Sequence, residues 1–144
     1  MTPSMNAAST PRLPWAILMT FMTENMNDRP DAAPSLIVCP TSLVFNWEAE
    51  AAKFTPGLRV LSLHGPQRHD KFAQIPRHDL IITSYALLRR DAEQYLGIEF
   101  DTLVLDEAQH IKNRQTQNAQ AVKTTRARHR LVLTVTAERL PVEI

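Results

Sequence analysis

Leu103-Val104-Leu105-Asp106-Glu107-Ala108-Gln109-His110 sets an apolar run directly before two adjacent carboxylates. Apolar residues on consecutive positions read as a strand buried on both faces, the condition of a parallel sheet. Asp106 and Glu107 then fall at the strand's carboxyl end, where open α/β sheets bind their ligands. An aspartate there can hold magnesium, and an adjacent glutamate can orient and deprotonate an attacking water, as metal-assisted phosphoryl transfer requires. An exposed acidic pair at a strand-to-turn junction has the same local signature. Glu107-Ala108-Gln109-His110 also spells half of a di-iron Glu-x-x-His site, but that needs helical placement and a second copy, and the sequence supplies neither.

The surrounding chain repeats the strand pattern. Ser35–Cys39, Leu58–Leu63, Asp79–Thr83, Thr102–Asp106 and Arg130–Thr134 are short apolar runs bounded by turn residues, and they predict five strands. Helices are expected between them over Ser42–Phe54, Gln67–Ala73, Tyr85–Tyr95 and Gln115–Thr125, with another over Trp15–Asn27. Alternating strands and helices predict a three-layer α/β fold, a mainly parallel sheet with helices on both faces. Met1–Pro14, with three prolines and no apolar period, reads as a disordered arm ahead of one partial lobe over 15–144. Pro40-Thr41-Ser42, Thr83-Ser84-Tyr85, Asp106-Glu107 and Thr134 with Thr136 follow four of the strands, whereas His64-Gly65-Pro66 reads as a plain turn.

Bulk properties bound the answer less tightly. A chain of 144 residues has room for one core, and 44% apolar with 22% charged residues is ordinary for a globular domain. A formal net charge of +1 gives no whole-molecule argument for nucleic acid. From Ala108 to Ala137 there is no acidic residue, while Lys112, Arg114, Lys123, Arg126, Arg128 and Arg130 make a basic segment. That segment is a candidate backbone-facing surface or a solvated helix face with a strand entry. Cys39 stands alone, so no internal disulfide can form and a cytoplasmic setting fits. Trp15–Met22 is far too short to span a bilayer.

Five segments, taken in order, resemble the first motor lobe of Swi/Snf-family ATPases: Leu36 to Trp47, Leu61 to Pro66, Asp79 to Leu88, Leu103 to Asn113, and Arg130 to Thr134. Leu103 to Glu107 resembles a Walker B motif. The family consists of superfamily-two, helicase-like DNA-dependent ATPases whose two recombinase-like lobes clamp ATP and track duplex DNA. The resemblance implies that Asp106 and Glu107 are the magnesium and water-activating carboxylates. Gln109 and His110 would link nucleotide state to the coupling motif, and Thr134 and Thr136 stand where that motif's turn begins. It places Pro40, Thr41 and Ser42 at one DNA-tracking motif and Thr83, Ser84 and Tyr85 at the next, with double-stranded DNA as the partner. Hydroxyls suit sequence-independent phosphate contacts, and the same residue types also cap helices.

The sequence departs from the family at two places. No G-x-x-x-x-G-K-[ST] loop occurs, and none of Gly57, Gly65 and Gly97 precedes a lysine. The corresponding slot, Thr10 to Trp15, carries two prolines and no lysine. Charged hydrogen bonds are worth roughly 1.5 to 3 kcal/mol each, so losing two or three predicts nucleotide binding weaker by about a hundredfold or more. At the expected Thr-Gly-Thr-Pro turn the chain reads Thr134-Val135-Thr136-Ala137. The expectation is a fragment of a DNA translocase, inactive alone. The alternatives are a residual duplex-DNA-binding module and one piece of a split ATPase completed by a complementary lobe polypeptide.

Overall fold

A computed structural model describes residues 33–108 and 116–133. The expected helix over Trp15–Asn27, the arm before it and the Thr10–Trp15 slot lie outside the described residues. So do Gln109, His110, Thr134 and Thr136.

Five strands form one sheet: β1 (Ser35–Cys39), β2 (Val60–Ser62), β3 (Leu80–Ser84), β4 (Glu99–Asp106) and β5 (Arg126–Leu133). All pairings are parallel, in the order β2-β3-β1-β4-β5. β1 and β3 are buried at every position, and β4 at every position after Glu99, as consecutive apolar residues require in a sheet covered on both sides. Alternate residues feed two cores. Leu36, Val38, Ile81, Leu103 and Leu105 face one, while Ile37, Cys39, Leu80, Ile82 and Val104 face the other.

Helix α1 (Val44–Phe54) covers the second face, placing Val44, Trp47 and Ala51 against it. The first face receives Tyr85 and Leu88 from α2 (Tyr85–Arg90), Tyr95 from α3 (Ala92–Tyr95), and Ala121 and Val122 from α4 (Gln117–Thr124). Each fully buried large apolar side chain contributes about 1.5 to 3 kcal/mol, so this alternation is what holds the strand tips in place.

Several elements differ from expectation, β2 among them, which spans Val60–Ser62 within the expected Leu58–Leu63. The segment Pro66–Arg77 is 3-10 rather than α-helical, opened by Pro66 and carrying Pro76, neither of which can donate a backbone hydrogen bond. The helix expected over Tyr85–Tyr95 is split at Asp91, which leaves helical geometry at φ −102°, ψ 21°. β4 starts three residues early and β5 four. Arg126, Arg128 and His129 disguise the start of β5 because no described residue pairs with its outer edge, and an edge strand tolerates charge. Its Leu131 and Val132 remain 36% and 49% exposed. Among the described residues no helix is long and apolar enough to cross a membrane.

Candidate functional site

β4 ends on Asp106, which is fully buried. Its Oδ2 accepts a hydrogen bond from the indole Nε1 of Trp47 at 2.8 Å. The Tyr85 hydroxyl donates to the Asp106 backbone carbonyl at 2.7 Å. Oδ1 has no hydrogen-bond partner among the described residues. Burial pushes the carboxyl up to about 6; the Trp47 bond opposes that rise, and the neighbouring charge of Glu107 adds to it. Burial likewise pushes up the Tyr85 phenol and the Cys39 thiol, each with a further contribution from Asp106.

A buried carboxylate oxygen with no described partner fits a hard divalent cation. Magnesium is commonly held by one or two carboxylates plus substrate phosphates rather than by a full protein cage. Among the described residues no cluster of three or more His, Cys, Asp or Glu side chains able to hold a metal occurs.

Glu107 follows at φ 55°, the one positive-φ residue other than glycine among the described residues. A side chain with a Cβ pays roughly 1 to 2 kcal/mol in this left-handed region, and glycine does not. The strain sits at the residue expected to meet the reacting water. Glu107→Gly is therefore expected to be about 1 kcal/mol more stable than Glu107→Ala, read from urea midpoints at equal slope. Equal midpoints would mean that the turn relaxes and stores no strain.

The two hydroxyl-bearing turns differ in how their side chains are used. Thr41 and Ser42 are exposed in the 3-10 turn Thr41–Leu43, and neither that turn nor α1 has a side-chain cap. Capping therefore does not account for them. Thr83 is fully buried, and its Oγ1 donates to the Leu63 carbonyl at 3.2 Å. Ser84 is also fully buried, and its Oγ accepts from the Leu87 amide at 3.1 Å, capping α2. The first turn presents hydroxyls to solvent, while the second commits its side chains inward.

Sequence reasoning missed the neighbouring side chains. Thr41, His64, Gly65, Arg68, Ser84 and Arg90 line a cleft of about 410 Å³ at the tips of β1, β2 and β3. His64 Nδ1 is buried without a partner among the described residues, and its ring meets Phe45 edge-on at 5.0 Å. Phe45 itself is 59% exposed. Gly65 turns the chain at φ 83°, which favours glycine. Arg68 donates to the Gly65 carbonyl at 2.9 Å and to both oxygens of Asp91 at 2.6 and 3.0 Å. The only signal was an arginine three residues after that glycine.

Arg126, Arg128 and Arg130 of the basic segment do not join these groups. Arg126 pairs in register with Glu99, whereas Leu133 pairs with Asp106, so Arg126 and Arg128 lie toward the amino end of the sheet. Seven residues of strand separate Arg126 from the tip, roughly 23 Å. Arg130 donates to the carbonyls of Val122 and Thr125 at the end of α4, a use for a cation at a helix C-terminus. Lys112 and Arg114 lie outside the described residues.

A parallel sheet with helices on both faces and a carboxylate pair at the tip of β4 defines the recombinase-like lobe of a helicase-like ATPase. The SNF2-related domain family matches residues 13–137, and the chain belongs to that family. It is 42% identical over 107 residues to TATA-binding protein-associated factor MOT1 of Saccharomyces cerevisiae, covering 73% of this chain and 6% of that protein. It is 40% identical over 108 residues to helicase swr1 of Schizosaccharomyces pombe, covering 72% and 8%. The chain therefore spans a small part of the relatives it matches. Among solved structures, the Sulfolobus solfataricus SWI2/SNF2 ATPase core in complex with dsDNA superposes with TM-score 0.74 at 35% identity, covering 88% of this chain and 26% of that one.

Proposed function

We propose that these residues are the part of an ATP-dependent DNA-translocase lobe that carries the magnesium carboxylate and the DNA-facing turns. The observation that carries this reading is Asp106 at a strand tip, buried, with Oδ1 unpartnered among the described residues and Oδ2 held by Trp47. Asp106 would hold magnesium, which neutralises charge on a transferring phosphoryl group when bound. Glu107 orients the attacking water and takes its proton, and Gln109, His110, Thr134 and Thr136 transmit nucleotide state. Pro40, Thr41 and Ser42 meet the phosphate backbone of duplex DNA directly. Thr83, Ser84 and Tyr85 form the buried support of the cleft whose rim carries Arg90 and His64. The setting is a reducing compartment that contains DNA.

The 144 residues hold no phosphate-binding loop motif, so they are not expected to hydrolyse ATP by themselves. Duplex DNA is expected to be retained weakly and to be released by salt. For about two neutralised phosphates, affinity falls roughly tenfold between 50 and 200 mM. DNA-stimulated phosphate release is expected to be absent for this chain alone. Release by these residues alone that disappears on Glu107→Gln would overturn that expectation. Salt-insensitive retention would overturn the phosphate contacts.

A further inference from the structure

Trp47 is buried within the second core, where a phenylalanine would satisfy the demand for apolar volume. An indole brings an N–H that must find an acceptor when buried, and here it donates to Asp106 Oδ2 across 59 positions of sequence. An aspartate carboxylate is otherwise able to turn about its last torsion. The Trp47 bond sets the plane of the group and leaves Oδ1 as the oxygen without a described partner. From the other side, the Tyr85 hydroxyl holds the same residue's backbone carbonyl.

Both contacts come from segments that follow the hydroxyl-bearing turns. Trp47 lies in the first turn of α1, just after Thr41–Leu43, and Tyr85 directly follows Ser84 at the end of β3. We infer that Trp47 is a positioning residue for the metal-facing carboxylate of Asp106, and that with Tyr85 it ties both turns to that carboxylate. This rests on the reading of Asp106 as the magnesium ligand. It adds that a side chain in the helix behind the first turn sets how well the carboxylate takes the ion.

The test is a Mn²⁺ titration of the full 144-residue chain, followed by paramagnetic broadening of the Asp106 and Glu107 amide resonances. Trp47→Phe keeps the apolar volume and removes only the N–H. It is expected to need about tenfold more Mn²⁺ for half-broadening, in line with the 10- to 100-fold cost of losing an outer-shell partner. Equal Mn²⁺ sensitivity with the fold retained would overturn the inference and leave the carboxylate reading standing. No broadening of these amides in the unsubstituted chain would overturn both.

A second measurement needs no substitution and decides the matter if Trp47→Phe fails to fold. With Mg²⁺ as probe, the Trp47 indole N–H resonance is expected to shift together with the Asp106 and Glu107 amides. Amide shifts without a Trp47 indole shift would overturn the inference.

Discussion

Asp91→Ala is expected to lower the unfolding free energy by about 3 kcal/mol, a large share of the 5 to 15 kcal/mol typical of a domain. The Arg68 guanidinium and the Asp91 carboxylate are both buried and joined by two hydrogen bonds. Removing the carboxylate leaves a guanidinium with little access to water and only the Gly65 carbonyl as a partner among the described residues. The cost comes from that abandoned charge more than from the lost attraction. Replacing both residues with apolar ones, Arg68→Met with Asp91→Leu, is expected to recover stability to within about 1 kcal/mol of the parent. Urea unfolding of the three proteins checks this, and a single-substitution cost under about 1 kcal/mol would show that water reaches the pair. The pair also spans the break between α2 and α3 and the 3-10 segment beside the cleft, so Asp91→Ala should weaken DNA retention along with the fold.

Asp106→Asn is expected to act in the opposite direction, raising the stability of the metal-free chain at pH 7.5 by about 2 kcal/mol. Burial raises this carboxyl from 3.8 to about 6, a difference of roughly 3 kcal/mol between its two protonation states. Part of that gain is lost because the asparagine amide is itself buried. The sign follows from proton uptake. Between pH 3.8 and about 6 the folded chain holds a proton that the unfolded chain has released, so this group's contribution falls as pH rises through that window and is flat above it. The substitution should remove that slope. A chain destabilised by Asp106→Asn, with its pH dependence unchanged, would mean that the carboxylate already has a compensating partner. A residue that costs stability when charged, set where a cation would relieve it, is the expected form of a functional site.

Much of this was legible in the sequence. The consecutive apolar runs at Leu36–Val38, Leu80–Ile82 and Leu103–Leu105 announce strands covered on both faces, since only burial from both sides removes the alternation of polar residues. The carboxylates after Leu105 stand at a strand tip for the same local reason. The order of motifs carried the family, and the missing phosphate loop is read directly from where the glycines fall.

Tertiary structure decided which groups meet. Arg126–His129 was legible as charge but not as strand, because its edge position tolerates the polar residues that hid it. The parallel register then carried those arginines away from the tips. Thr83 and Ser84 looked equivalent to Thr41 and Ser42, yet their hydroxyls turn inward to Leu63 and Leu87. The bonds from Trp47 to Asp106 and from Arg68 to Asp91 join positions 59 and 23 apart. Local periodicity reports only whether a residue is covered. Which residue covers it depends on strand order and on how far each helix crosses the sheet, and these emerge only when β1 is inserted between β3 and β4.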